Sequence, residues 1–473
     1  MGIQLDWQVE SEQARQKATE DPNAKFERRR RRRRMLLGII LLILLISAVL
    51  TIVRWRLNVV ENRIRQDLVD TVNVELTALR IGNYRNFMSV QRSASEEWVS
   101  GQISFYDDYQ SRKAEGELGT DDQIIDVSID PDQPRARVLI EQTINGEPYR
   151  LVWFYWRYND LETEQNGWRH VPPDVEYWGD KKTIDGENTQ IIYNELDSDL
   201  GKTLAPLVEQ WWTGGCSLLE CASQPTLTVQ IVPETLDEPM WDLYDPFLLR
   251  IPSPLIDGRA YYGRIPDPTL EQAFQRMIAE KLVEVRIGID MNPSPYTDTY
   301  WIYEEIISEL LAVFNPSRSG SGFFNSLESL YGENFLGRVM QSFGPGNNIG
   351  ILQNAINPAV PVPDLPDEEL NQFYWADFFQ WRLRAEQVAQ GNDPNAFREF
   401  YDTLDGDALA VAQQRFENRD PNSPIPRVIS VNITRDNFGR RIANVEVHPN
   451  PNDESVRVTI VFRWTGTTWK RIT

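Results

Sequence analysis

The stretch RRRRRRRMLLGIILLILLISAVLTIV, residues 28–53, sets the architecture of the chain. Its last nineteen residues, Met35 to Val53, contain no charge and no proline. At about 1.5 Å rise per residue they span roughly 30 Å as a helix, the thickness of a bilayer core. A buried soluble helix of that length shows a polar stripe, and this one has none. Residues 35–53 therefore read as a transmembrane helix. Seven arginines precede it and only Arg54 and Arg56 follow closely, which keeps the basic tail 1–34 in the cytoplasm and exports the bulk of the chain. A cleaved signal peptide would have a shorter apolar core and a small-residue cleavage site, whereas Arg54-Trp55-Arg56 follows here. An arginine run elsewhere would suit nucleic acid. Against a span it reads as a topology signal that also meets anionic lipid. The expected location is the cell membrane, single-pass.

Working outward, charge separates the two sides. Ten of the 48 basic and six of the 70 acidic residues lie in 1–34, which leaves 38 against 64 beyond the span, a net of −26. An acidic exported part argues against nucleic acid as a partner. Its 15 Trp and 11% aromatic content supply material for packed cores. The length of 473 residues predicts two to four domains. The two cysteines, Cys216 and Cys221, fall on the exported side, and their spacing suits a disulfide closing a small loop at Gly214-Gly215. Zinc needs about four ligands, and two distant histidines beside this pair do not supply them.

Residues 1–27 read as an unstructured tail. Asn58 to Arg80 reads as a stalk helix continuing the span, with Val59, Ile64, Leu68, Val72, Leu76 and Leu79 on one face and Gly82-Asn83 as its stop. A helix at Glu96 to Tyr109 precedes strands at Gln123 to Ile129, Ala136 to Thr143 and Tyr149 to Tyr158, and a short Gly167-Trp168-Arg169. The end of the chain repeats this order. Tyr374 to Gln390 reads as a helix with Phe378, Trp381, Leu383 and Val388 as apolar contacts, stopping at Gly391-Asn392. Gly406 to Glu417 follows, then strands at Arg427 to Thr434, Ala443 to His448 and Ser455 to Trp464, and Trp469-Lys470-Arg471. Phe87 and Phe397 follow the two Gly-Asn stops, and both copies close on Trp and a basic residue. The pattern is an internal duplication.

On these features both copies resemble the nuclear transport factor 2-like superfamily. The resemblance implies a long helix and two shorter ones packed in a curved antiparallel sheet, a cone whose mouth serves as an enzyme pocket, a ligand pocket or a spacer. Enzymatic members place an Asp/His pair inside. His170 and His448 fall one per copy, and both read as edge or loop residues.

Between the copies, strands read at Thr189 to Tyr193, Leu227 to Val232 and Leu248 to Leu255, the last an edge strand broken by prolines. Helices read at Ser198 to Trp212, Thr269 to Ile287, Tyr300 to Phe314 and Phe335 to Phe343, with a loop at Asn315 to Gly322. Ala279-Glu280-Lys281-Leu282-Val283 and Trp301-Ile302-Tyr303-Glu304-Glu305 resemble the two catalytic helices of gluzincin metallopeptidases. There HExxH sets two imidazoles one helical turn apart on zinc, with a glutamate base between them and a carboxylate ligand on the next helix. The resemblance puts Glu280 at the base position and Glu304 at the carboxylate-ligand position. Ala279 and Val283 stand where the imidazoles belong, and neither donates a lone pair. The plain alternative is that Glu280, Glu284, Glu304 and Glu305 are solvated faces of two amphipathic helices.

The expected fold is an α+β multidomain ectodomain on one N-terminal span. It comprises a basic tail (1–34), the span (35–53), a stalk with the first cone-like domain (54–173), a degenerate metallopeptidase-like domain (174–356), a proline-rich linker (357–365) and a second cone-like domain (366–473). The expected function is a pseudo-peptidase, non-catalytic and without cofactor, that engages a protein or peptide outside the membrane. The alternative is a metal-independent enzyme or small-ligand binder using a cone pocket.

Overall fold

The computed structural model describes residues 22–119, 122–159, 166–234, 236, 238–256, 260–261, 268–289, 291–332, 334–356, 367–371, 373–420 and 423–473. Most of the expected unstructured tail and the linker at 357–365 lie outside the described residues. The chain is α+β with three sheets and divides into two compact units, residues 1–139 with 153–172 and residues 140–152 with 173–473.

The first unit begins with α1 (Pro22–Ile81), one unbroken helix of 60 residues. Among the described residues it is the one helix long and apolar enough to cross a membrane, with a window of mean hydropathy 3.2. It starts earlier than expected, because Lys25 and the arginines are good helix formers and carry it upstream of the span. Val59 is half exposed, while Leu68, Val72, Leu76 and Leu79 are buried, so the packed part of the predicted stripe begins past Ile64. Gly82 ends the helix at φ +73°, with the Asn83 N–H donating to Ala78 O and the Gly82 N–H to Leu79 O. That is the reciprocal C-terminal cap that only a residue tolerant of positive φ completes. Two helices follow, α2 (Tyr84–Val90), capped by Asn83, and α3 (Glu96–Ala114), capped by Ser95. Strands β1 (Gln123–Ile129), β2 (Arg135–Ile144), β3 (Glu147–Tyr158) and β4 (Gly167–Val171) follow, with β1, β2 and β3 adjacent in that order and β4 antiparallel to β3; residues 140–152, the end of β2 and the start of β3, fall in the second unit.

From residue 173 onward the second unit contains a mixed sheet of β5 (Lys181–Asp185), β6 (Thr189–Asn194), β7 (Leu227–Val232), β8 (Met240–Trp241) and β9 (Leu248–Pro252), in the order β5-β6-β7-β9-β8. The pairs β6–β7 and β7–β9 are parallel. β9 was expected at the edge; it lies between β7 and β8, so its free backbone is already paired at Leu249 and Arg250. Helix α4 (Ser198–Leu219) runs seven residues beyond the expected stop at Trp212, since Trp211, Trp212, Cys216 and Leu219 extend its apolar face into the core. Helices α5 (Pro268–Ile287), α6 (Asp298–Phe314), α7 (Gly322–Tyr331), α8 (Phe335–Met340) and α9 (Ile351–Ile356) complete this part. The two-residue strand β10 (Ala260–Tyr261) pairs with Tyr149 and Arg150 of β3.

After the short α10 (Asp367–Leu370) come α11 (Trp375–Asn392), α12 (Pro394–Glu399) and α13 (Gly406–Glu417). A four-stranded antiparallel sheet closes the chain, with β11 (Arg427–Arg435), β12 (Arg441–His448), β13 (Val458–Trp464) and β14 (Trp469–Arg471) in sequence order. Gly391 and Asn392 are the last helical residues of α11 rather than its stop, and Val388 is exposed rather than an apolar contact.

Candidate functional site

Helix α5 carries Ala279, Glu280 and Val283, and helix α6 carries Glu304, all within the second unit. Ala279 and Val283 are fully buried, their side chains part of the core with Ile278 and Leu282. Glu280 and Glu304 face each other on the half-exposed side, and Arg276 lies between them. Its Nε donates to Glu280 Oε1 at 2.8 Å, its Nη2 to Glu304 Oε1 at 2.6 Å and its Nη1 to Glu304 Oε2 at 3.1 Å. The guanidinium thus fills a fork–fork geometry on Glu304 while reaching Glu280 one helical turn away. Hydrogen bonding to Glu304 raises the Arg276 pKa above its usual value, and burial pushes the Glu280 carboxyl up against the pull of Arg276. Farther along α6, burial pushes both Glu305 and Glu309 up to about 7. Glu305 is therefore not the solvated residue expected of an outer helix face; it accepts from Ser321 Oγ at the cap of α7. Among the described residues no group of three or more His, Cys, Asp or Glu side chains is arranged to hold a metal ion.

The first unit holds a second cluster, around a carboxylate absent from the expected site residues. Glu75, on α1, is completely buried. Its Oε1 is 2.7 Å from His170 Nδ1 and accepts from Gln91 Nε2 at 2.7 Å; its Oε2 accepts from the Tyr155 hydroxyl at 2.7 Å. His170 was expected at an edge or in a loop. It sits inside β4, 3% exposed, with its ring against Trp98, Trp153 and Tyr155 at centroid distances of 5.3, 5.0 and 5.1 Å. Burial and the neighbouring Glu75 raise the Tyr155 pKa well above the phenol value, so Tyr155 stays a donor. His448, also buried, ends β12 with its Nδ1 2.9 Å from Val456 O.

The C-terminal elements carry the counterpart of this cluster. An isolated parallel bridge joins Gln91 to His170, and another joins Tyr401 to Arg471. The Arg92 N–H donates to His170 O at 2.9 Å, and the Asp402 N–H to Arg471 O at 3.0 Å. Tyr155 lies opposite His170 across β3–β4, as Phe462 lies opposite Arg471 across β13–β14. Trp168 and Trp469 each stand two residues before the matched position. The matched carboxylate is Glu386 on α11, 1% exposed. It accepts from the Tyr401 hydroxyl at 2.8 Å, from Arg471 Nη1 at 3.0 and 3.2 Å, and from Arg415 Nη1. Burial pushes the Glu386 carboxyl up, but Arg471 and Arg415 outweigh it and hold the group below its usual range. A buried glutamate thus stands in similar strand surroundings at both places, facing a histidine as Glu75 and two guanidinium groups as Glu386.

Cys216 and Cys221 form a disulfide, Cα–Cα 5.1 Å. The turn between them is not made at Gly214-Gly215, which are helical; Glu220 adopts φ +54° just past the last turn of α4 and swings Cys221 back toward Cys216.

Sequence reasoning missed Glu75 and Glu386 because each is one acid among many on a helix. The available signal was position: each interrupts the apolar face of its helix, at Val72–Glu75–Leu76–Leu79 and Leu383–Glu386–Ala389. No family model matches the chain, and no curated protein matches it either.

Proposed function

We propose that this protein is a membrane-anchored, exported binding or scaffold protein whose central α/β part is a pseudo-peptidase between two nuclear transport factor 2-like repeats. Residues 35–53 hold it in the membrane with the arginine tail inside. The observation that carries the reading is Arg276, which takes both Glu280 and Glu304, while Ala279 and Val283 are buried core residues. In a zinc peptidase of this type a metal and its water stand between the base and the carboxylate ligand. Here a fixed cation of the chain itself bridges the two acids and occupies the space between them, so neither is placed to activate water. The partner is an exported protein or peptide. The test is the purified full chain in detergent, offered a mixed peptide library with zinc or with chelator. No zinc-dependent cleavage is expected, and zinc-dependent turnover abolished by Glu280→Gln would sink the proposal.

A second reading has a specific observation behind it. His170 is within hydrogen-bond reach of Glu75, and its Nε2 has no partner among the described residues. That pairing supports a metal-independent acid–base or small-ligand site in the first repeat. Carbethoxylation of the full chain separates the two: rapid modification of His170 supports an open site, and protection until unfolding reduces the pair to a core contact.

A further inference from the structure

We propose that the cavity beside the buried Glu386 cluster binds a small polar ligand carrying one oxyanion, a phosphate or a carboxylate. The inference goes beyond the reading of the α5–α6 pair and does not depend on it. The cavity is about 510 Å³, within the range of small-molecule sites. Its walls include Gln387 and Gln390 from α11, Gln414 and Arg415 from α13, and Asn418 and Arg419 just beyond; one lining side chain, Asp420, is acidic.

Three observations give the cavity its sign. Behind its wall a single carboxylate, Glu386, serves two guanidinium groups, Arg415 and Arg471, so the buried cluster carries one positive charge in excess. Arg415 spends only Nη1 on Glu386 and on the Tyr401 hydroxyl (2.7 Å to the latter), and its remaining N–H donors have no partner among the described residues. Arg419 packs over the Phe416 ring at 4.9 Å and pairs with no carboxylate among the described residues. Each guanidinium with open donors is itself a fork of the kind that recognises phosphate or carboxylate oxygens, and both line the cavity. The amides of Gln387 and Gln390 donate to Ser423 O and Arg415 O, which leaves their carbonyl oxygens to accept from hydroxyls on the ligand body. The matched position in the first repeat holds His170 where the second holds Arg471, so the excess cation belongs to the second repeat alone.

An oxyanion of this kind can come from a soluble metabolite or from a lipid headgroup, and one experiment separates them. The full chain in phosphatidylcholine nanodiscs is titrated calorimetrically with glycerol 3-phosphate and with glycerate. Saturable binding of at least one anion is expected, weakened about ten-fold by Arg419→Gln and partly retained in Arg419→Lys. The titration is repeated in discs containing phosphatidylglycerol. Unchanged binding assigns a soluble ligand; binding blocked by the anionic lipid assigns the headgroup. Absence of saturable binding, or equal affinity in Arg419→Gln, overturns the proposal. Arg419 is exposed, so its replacement leaves the fold intact.

Discussion

Asp197 is buried, yet it accepts from the Trp178 indole N–H at 2.6 Å and the Ser253 hydroxyl at 2.5 Å. Desolvation outweighs those bonds and pushes its carboxyl up to about 6. An unfolded aspartate titrates near 3.9. The folded state therefore holds this proton more tightly, and the stability it contributes is complete below about pH 4 and lost as pH rises to about 6. The unfolding free energy of the parent relative to Asp197→Asn is expected to fall by about 2 kcal/mol between pH 4 and pH 7; urea midpoints across that range check it. Glu75 makes a different prediction. Glu75→Leu removes the acceptor of Gln91 and Tyr155 and the partner of His170 at once. It should cost about 3 kcal/mol or more, whereas Glu75→Gln, which keeps an acceptor oxygen, costs less. A Glu75→Leu variant with an unshifted denaturation midpoint would mean that the cluster is not a cohesive part of the core.

The elements differ in how openly the sequence declares them. The Cys216–Cys221 bridge ties the end of α4 to the next segment within a six-residue loop. For so short a loop, chain entropy gives about 2 kcal/mol, so Cys221→Ser should lower stability by that amount without shortening α4, as circular dichroism and a urea titration would register. The helix itself was legible only as far as Trp212, because Gly214 and Gly215 suggest a turn when tertiary packing is out of view. Gly215 is helical against Leu282, Leu310 and Phe314, and its missing Cβ is what lets α5 and α6 approach. The strands of the first and last sheets were readable from β-branched and aromatic runs, the two-residue β10 aside; β1 and β14 fall where expected, and the others shift by one to three residues. Strands β5 and β8 were not, since Lys181–Asp185 is polar and Met240–Trp241 is too short for alternation to register. Of the candidate site, the sequence shows Ala279 and Val283 flanking Glu280 but not the Arg276 bridge. That bridge depends on Arg276 and Glu304 meeting across two helices, a pairing no spacing rule contains.

At the scale of the molecule, orientation is the first property to test. By the positive-inside rule the seven arginines are expected to hold the N-terminal side in the cytoplasm. Replacing Arg28 to Arg34 with glutamine should leave membrane association intact and erode the orientation bias. Protease digestion of right-side-out vesicles reads this directly: the parent's C-terminal tag is degraded, and the variant leaves a protected fraction. Uniform digestion of both would remove the arginines from the topology argument.

Helix α1 has one further consequence. From Ile39 to Ile81 it contains neither glycine nor proline, and it is continuous through Glu75. From Val53 to Glu75 is about 33 Å of unbroken rod. A flexible tether would let the span turn or tilt in the lipid while the fold tumbled independently. This rod has no joint to absorb such motion. A tilt or rotation imposed on residues 35–53 would therefore be carried along the rod to the carboxylate that holds Tyr155 and His170, so the apolar segment and the core cluster would move as the two ends of one lever.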